Sequence, residues 1–116
     1  MRFPQIEARH QIPRDSDRLL VIFSDIEMGA GGVTDDFPRT DFLAELILSY
    51  NSERYARCSV DLVFNGDTFD FLKTPVDGAY PSHITPAIAV AKLDAVAAAH
   101  ADFFEALRDF VAFEWP

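Results

Sequence analysis

Cysteine is almost missing from the 116-residue chain, with Cys58 standing alone. An intramolecular disulfide is therefore excluded, and a reducing compartment fits. As a thiol just before an apolar run, Cys58 reads as a small half-buried residue. Basic residues are also few. Ten Lys and Arg face nineteen Asp and Glu, a formal charge of -9, which argues against nucleic acid or an anionic membrane held by general electrostatics. There is no basic cluster and no Walker-type lysine loop, so a phosphate ligand would need a bound metal cation to reverse the local sign. No apolar run is long enough to span a bilayer. The opening MRFPQIEARHQIPRDSD breaks its few apolar residues with charge and two prolines, unlike a signal peptide. The expected location is cytoplasmic. Internal repeats, low-complexity tracts and sustained heptads are absent.

What is present is a core. With 49% apolar and 13% aromatic residues, the chain supports one globular domain. Residues 1–18 read as a polar, proline-punctuated arm with a short edge strand around Phe3 to Ile6, and residues 19–116 as the domain. Leu19 to Phe23 (LLVIF) is a continuous run with β-branched members, the pattern of a strand buried on both faces. A glycine-bearing loop follows from Ile26 to Pro38, able to turn tightly and approach a ligand. Thr40 is the expected N-cap of an amphipathic helix carrying Phe42, Leu43, Leu46, Ile47 and Tyr50. Val60 to Phe64 is the second strand. Strand, helix, strand predicts a parallel βαβ unit, and hence an α/β fold of βαβα order with flanking helices. Thr85-Pro86 is a strong helix start. The alanine-rich segment from Ala87 to about Glu114 would run about 40 Å if continuous, so either a break or a chain that has lost the rest of its fold is expected.

Two acidic turns close the two strands: Ser24-Asp25-Ile26-Glu27-Met28-Gly29 and Asn65-Gly66-Asp67-Thr68-Phe69-Asp70. Parallel strands bring both turns to the sheet edge where open α/β sheets bind ligands. Four carboxylates at one edge repel unless protons or cations neutralise them. Oxygen donors of this kind suit Mg²⁺ or Mn²⁺, and added nitrogen donors shift preference towards Mn²⁺, Fe or Zn²⁺.

Asp25-Ile26-Glu27 and Gly66-Asp67-Thr68-Phe69-Asp70 resemble the first two motifs of the calcineurin-like metallophosphoesterases, D-x-H and G-D-x-x-D. The resemblance implies that Asp25 binds a first metal ion, that Asp67 bridges two, and that Asp70 stands behind them to orient a catalytic histidine from the third motif. Glu27 replaces the histidine of D-x-H. It would ligate through an anionic oxygen and harden the site, and it reads equally as a solvated loop carboxylate. Asp70 has the alternative of a turn aspartate. The family's later motifs, G-N-H and G-H-x-H, do not occur in these residues. The implied object is the N-terminal half of a metallophosphoesterase α/β sandwich. In the complete site two divalent ions (Mn, Mg, Fe or Zn) activate a bridging water for attack on phosphorus, and this chain alone is expected to hold at most one ion well. The implied substrate is a small or lipid-linked phosphomonoester or phosphodiester. The alternative is a catalytically inactive metal-binding or assembly module, with a second copy or a separate C-terminal half as partner.

Other features read more simply. Asp35-Asp36 is expected to be solvated or to start a helix. His10 and His83 are expected at the surface, and His100, spaced helically from Val96 and Phe103, as a partly buried structural histidine. Phe103, Phe104, Leu107, Phe110 and Val111 form a packing face. Gly29-Ala30-Gly31-Gly32 fails the dinucleotide fingerprint because position 34 is threonine. A receiver-like domain would need a strand between the two observed, for which there is no room.

Overall fold

The computed structural model describes residues 18–114; the expected arm, its edge strand, His10 and the last two residues lie outside that range. The elements are β1 (Arg18–Phe23), α1 (Thr40–Ser49), a 3₁₀ turn (Glu53–Tyr55), β2 (Ser59–Phe64), α2 (Pro86–Ala99) and α3 (Ala101–Ala112). The fold is mixed α/β, with a two-stranded parallel sheet and three helices among the described residues. β1 and β2 pair in register from Arg18↔Ser59 to Phe23↔Phe64. Strand propensity and the aromatic ends agree, since Phe23 and Phe64 stack with centroids 5.3 Å apart.

The core forms where one stripe of each helix meets the inner sheet face. Leu43, Ala44 and Ile47 of α1 pack with Phe103 and Ala106 of α3, Val96 of α2, and Ile26 and Met28 of the first acidic turn. Phe103, Phe104, Leu107 and Phe110 pack as expected, whereas Val111 is exposed, outside the packed stripe. Phe103 meets Phe64 edge-on at 5.6 Å and Phe104 stacks on Phe69 at 6.1 Å, so α3 supports the end of β2 and the second acidic turn together.

The predicted helix from Ala87 to Glu114 breaks at His100, whose φ of -124° and ψ of 44° leave the helical region. Thr85 caps α2 as expected, its hydroxyl accepting from Ile88 N–H at 3.2 Å, with Pro86 in the first turn. Two expectations need correction. β1 is not buried on both faces: Leu20 and Ile22 are 53% and 58% exposed, because no described element covers that side of the sheet. Thr40 is not the N-cap of α1 but its first helical residue, after Arg39, and no side chain caps this helix. The Thr40 hydroxyl is engaged elsewhere, with His100 and Asp102.

Candidate metal centre

The strand pairing does not stop at the strand ends. Phe23 pairs with Phe64 and Met28 with Phe69, offsets of 64 − 23 = 41 and 69 − 28 = 41. The two acidic turns therefore run side by side in the register of the sheet. Backbone hydrogen bonds stitch them: Asn65 N–H to Phe23 carbonyl at 2.7 Å, Glu27 N–H to Asp67 carbonyl at 2.7 Å, Met28 N–H to Thr68 carbonyl at 2.9 Å and Asp70 N–H to Met28 carbonyl at 2.8 Å.

Within this ladder Asp25, Glu27 and Asp67 have left-handed backbones, with φ of 55°, 57° and 50°. Aspartate tolerates that region through local hydrogen bonding, whereas glutamate gains little from it. Left-handed residues that are not glycine cost free energy and concentrate at functional sites. Gly66, at φ 76°, supplies the same conformation where glycine is the natural choice. The Asp25, Glu27 and Asp67 side chains are exposed. Asp70 is largely covered, and its Oδ1 accepts from Lys73 N–H at 3.2 Å, the geometry of a turn aspartate.

A lysine enters the cluster. The Lys73 ammonium bonds the Asp36 carboxylate and lies 3.7 Å from Asp70 Oδ2. The hydrogen bond that its ammonium donates to Asp36 raises its pKa; loss of hydration opposes the rise, and the Asp36, Asp70 and Glu27 charges add to it. This lysine neutralises part of the acidic edge, a role not foreseen in KTPVDG because its hydrogen-bond partner Asp36 lies 37 positions back along the chain.

In the glycine loop the Gly29 and Gly31 N–H groups turn onto Asp35, while Gly32, Val33 and Thr34 are exposed. Asp35 is buried, not solvated. Its Oδ1 accepts from Gly29 N–H and Phe37 N–H, both at 3.0 Å, and its Oδ2 from Gly31 N–H at 2.8 Å. His100 Nε2 meets the same Oδ2 at 2.5 Å. Burial pushes the Asp35 carboxyl upward, but the three backbone donors and His100 outweigh it and hold the group below its ordinary range. Gly29 suits this close approach: a β-carbon there would sit 3.3 Å from the Asp35 backbone, a tight contact. His100 continues to Thr40, whose hydroxyl lies 2.9 Å from Nδ1 and donates to Asp102 Oδ1 at 2.9 Å. His100 is thus a buried structural histidine, while His83 is exposed. Lys92 is also buried, its ammonium donating to the Phe71 carbonyl at 2.5 Å. Its signal was the four-residue spacing to Val96 on one helix face.

The donors available at the acidic turns suit a hard divalent ion in kind, since all are carboxylate oxygens. They fall short in number. Among the described residues no three Asp, Glu, His or Cys side chains converge as a metal-holding group. No described helix is long and apolar enough to cross a membrane. No family model, curated protein or solved structure matches the chain.

Proposed function

We propose that the paired acidic turns contribute the first carboxylates of a divalent-metal phosphoesterase centre, within a chain that resembles the N-terminal half of a calcineurin-like metallophosphoesterase sandwich. The observation that carries this reading is the left-handed backbone of Asp25, Glu27 and Asp67 on two hydrogen-bonded turns. Three exposed carboxylates held in a costly conformation at the ligand edge of a parallel sheet make sense as ligands.

In this reading Asp25 and Asp67 hold the ion, and Glu27 adds an anionic oxygen. A bound divalent ion would supply charge for phosphoryl oxygens and a more acidic water. Asp70 braces the second turn through Lys73 N–H. The chain's own task is to bind and orient, because no described histidine lies among these carboxylates to protonate a leaving oxygen. Phosphoesters are the substrate class, small or lipid-linked. Isothermal titration of Mn²⁺ into wild type and Asp67→Asn tests the reading: measurable binding that weakens at least tenfold in the variant is expected, and equal affinity removes the claim.

The convergence of fewer than three ligands, with Lys73 beside Asp70, favours a second reading: a non-catalytic module whose acidic edge is balanced by lysine. Hydrolysis of a generic phosphomonoester or phosphodiester with Mn²⁺, abolished by Asp25→Ala, would rule that reading out.

A further inference from the structure

Apart from Lys92 and Asp94, helix α2 is apolar on every side, yet among its residues only Lys92 and Val96 are buried, while Val90 and Leu93 are 58% and 40% exposed. Hydrophobic packing alone does not account for where it sits. Its attachments are polar. Lys92 reaches the Phe71 carbonyl, next to Asp70 in the second acidic turn. At the helix end, His100 reaches Asp35, whose carboxylate gathers the N–H groups of Gly29, Gly31 and Phe37 directly after the first acidic turn. The two attachments are 100 − 92 = 8 residues apart, about 12 Å along a helix. Each turn is therefore tied to a different point of α2, one within the helix and one at its C-cap.

Ionised Asp35 is an acceptor only, so the 2.5 Å contact requires a proton on Nε2. The single Thr40 hydroxyl proton goes to Asp102 Oδ1, so the Thr40 oxygen must accept at 2.9 Å from a proton on Nδ1. A neutral ring would leave one of these contacts with two acceptors facing each other. The charged groups around the ring are Asp35 from the loop, Arg39 and Asp41 at the start of α1, and Asp102 from α3; the neighbouring α2 residues, Ala98 and Ala99, carry none.

We propose that α2 is a positioning strut for both acidic turns, acting through two buried cations, the Lys92 ammonium on the second turn and a doubly protonated His100 on the first. Lys92 and His100 are positioning residues, since neither lies among the carboxylates. The strut is a property of the fold and stands without a metal ion; only its effect on ion affinity rests on the proposed function.

Nitrogen-15 NMR of wild-type imidazole at neutral pH reads the first element, with hydrogen on both ring nitrogens expected. Amide exchange reads the second. In His100→Leu the Gly29, Gly31 and Phe37 amides should exchange at least tenfold faster than α1 and β2 amides do, and in Lys92→Met the Asp70 and Thr74 amides should respond instead. His100→Gln, which keeps a donor but no charge, should restore protection only in part. An unprotonated ring nitrogen, or variants that speed exchange uniformly or not at all, overturns the strut. If Mn²⁺ fails to bind wild type, the proposed function falls and these readouts are unaffected; if it binds, both variants should weaken it several-fold.

Discussion

Glu27 offers the sharpest test, because its backbone and its carboxylate make opposite demands. At φ 57° an L-residue sits in a region costing about 1–2 kcal/mol. Glycine removes that cost and returns about 0.5–1 kcal/mol through the greater freedom of the unfolded chain. Glu27→Gly should therefore be more stable than Glu27→Ala by about 0.5–1 kcal/mol, since both lose the carboxylate and alanine keeps the strain. The Glu27 N–H to Asp67 hydrogen bond survives in both. The lost charge contributes little to stability, because Glu27 is exposed and Lys73 is already paired with Asp36. Urea denaturation of the two variants side by side measures the difference, and thermal unfolding should show a rise of about 2–4 °C. If the carboxylate is a ligand, Mn²⁺ affinity falls equally in both. Equal stability of the glycine and alanine variants would refute the strain, and with it the main structural support for a functional site.

Asp35→Asn should cost about 3 kcal/mol or more by leaving His100 without its buried partner. Because the Asp35 carboxyl lies below its ordinary value of 3.8 in the folded chain, its contribution is complete above about pH 4–5 and is lost as pH falls through the folded value. Wild type should therefore lose stability on acidification more steeply than Asp35→Asn, followed by denaturation midpoints at stepped pH. Phe103→Ala, at a side chain 1% exposed between Phe64 and Phe104, should cost about 3–5 kcal/mol in urea denaturation. Lys73→Gln removes the ammonium beside Asp36, Asp70 and Glu27 and should raise Mn²⁺ affinity several-fold in calorimetry; unchanged affinity would place the ion elsewhere.

Local signals carried much of the fold. LLVIF and VDLVF declared strands by β-branched content, Thr85-Pro86 declared a helix start, and the improbable length from Ala87 to Glu114 declared a break. The failures share a cause. Whether LLVIF is covered on one face or two depends on what lies across the sheet, and no residue of the run encodes it. Asp35 looked like a loop charge because its partner His100 is 65 positions away. Nothing local marks the partner of Lys92, because its acceptor is a backbone carbonyl that carries no side-chain signature.

The candidate site divides along the same line. That Asp25 and Asp67 become neighbours follows from two parallel strands of equal length running into turns without an insertion, and the constant offset of 41 between Phe23↔Phe64 and Met28↔Phe69 realises it. Adjacency of the two turns thus has a sufficient cause in backbone pairing, and adjacency alone does not argue for an ion. Conformation argues further. Asp25 and Asp67 are residue types that accept a left-handed backbone, so a loop role explains them nearly as well as a ligand role. Glu27 is different, because glycine would serve the turn better and no hydrogen bond from the Glu27 side chain is evident to repay the strain. The residue that departs from the D-x-H pattern is therefore the one whose presence the fold explains least, and it bears the most weight in a functional reading of this edge.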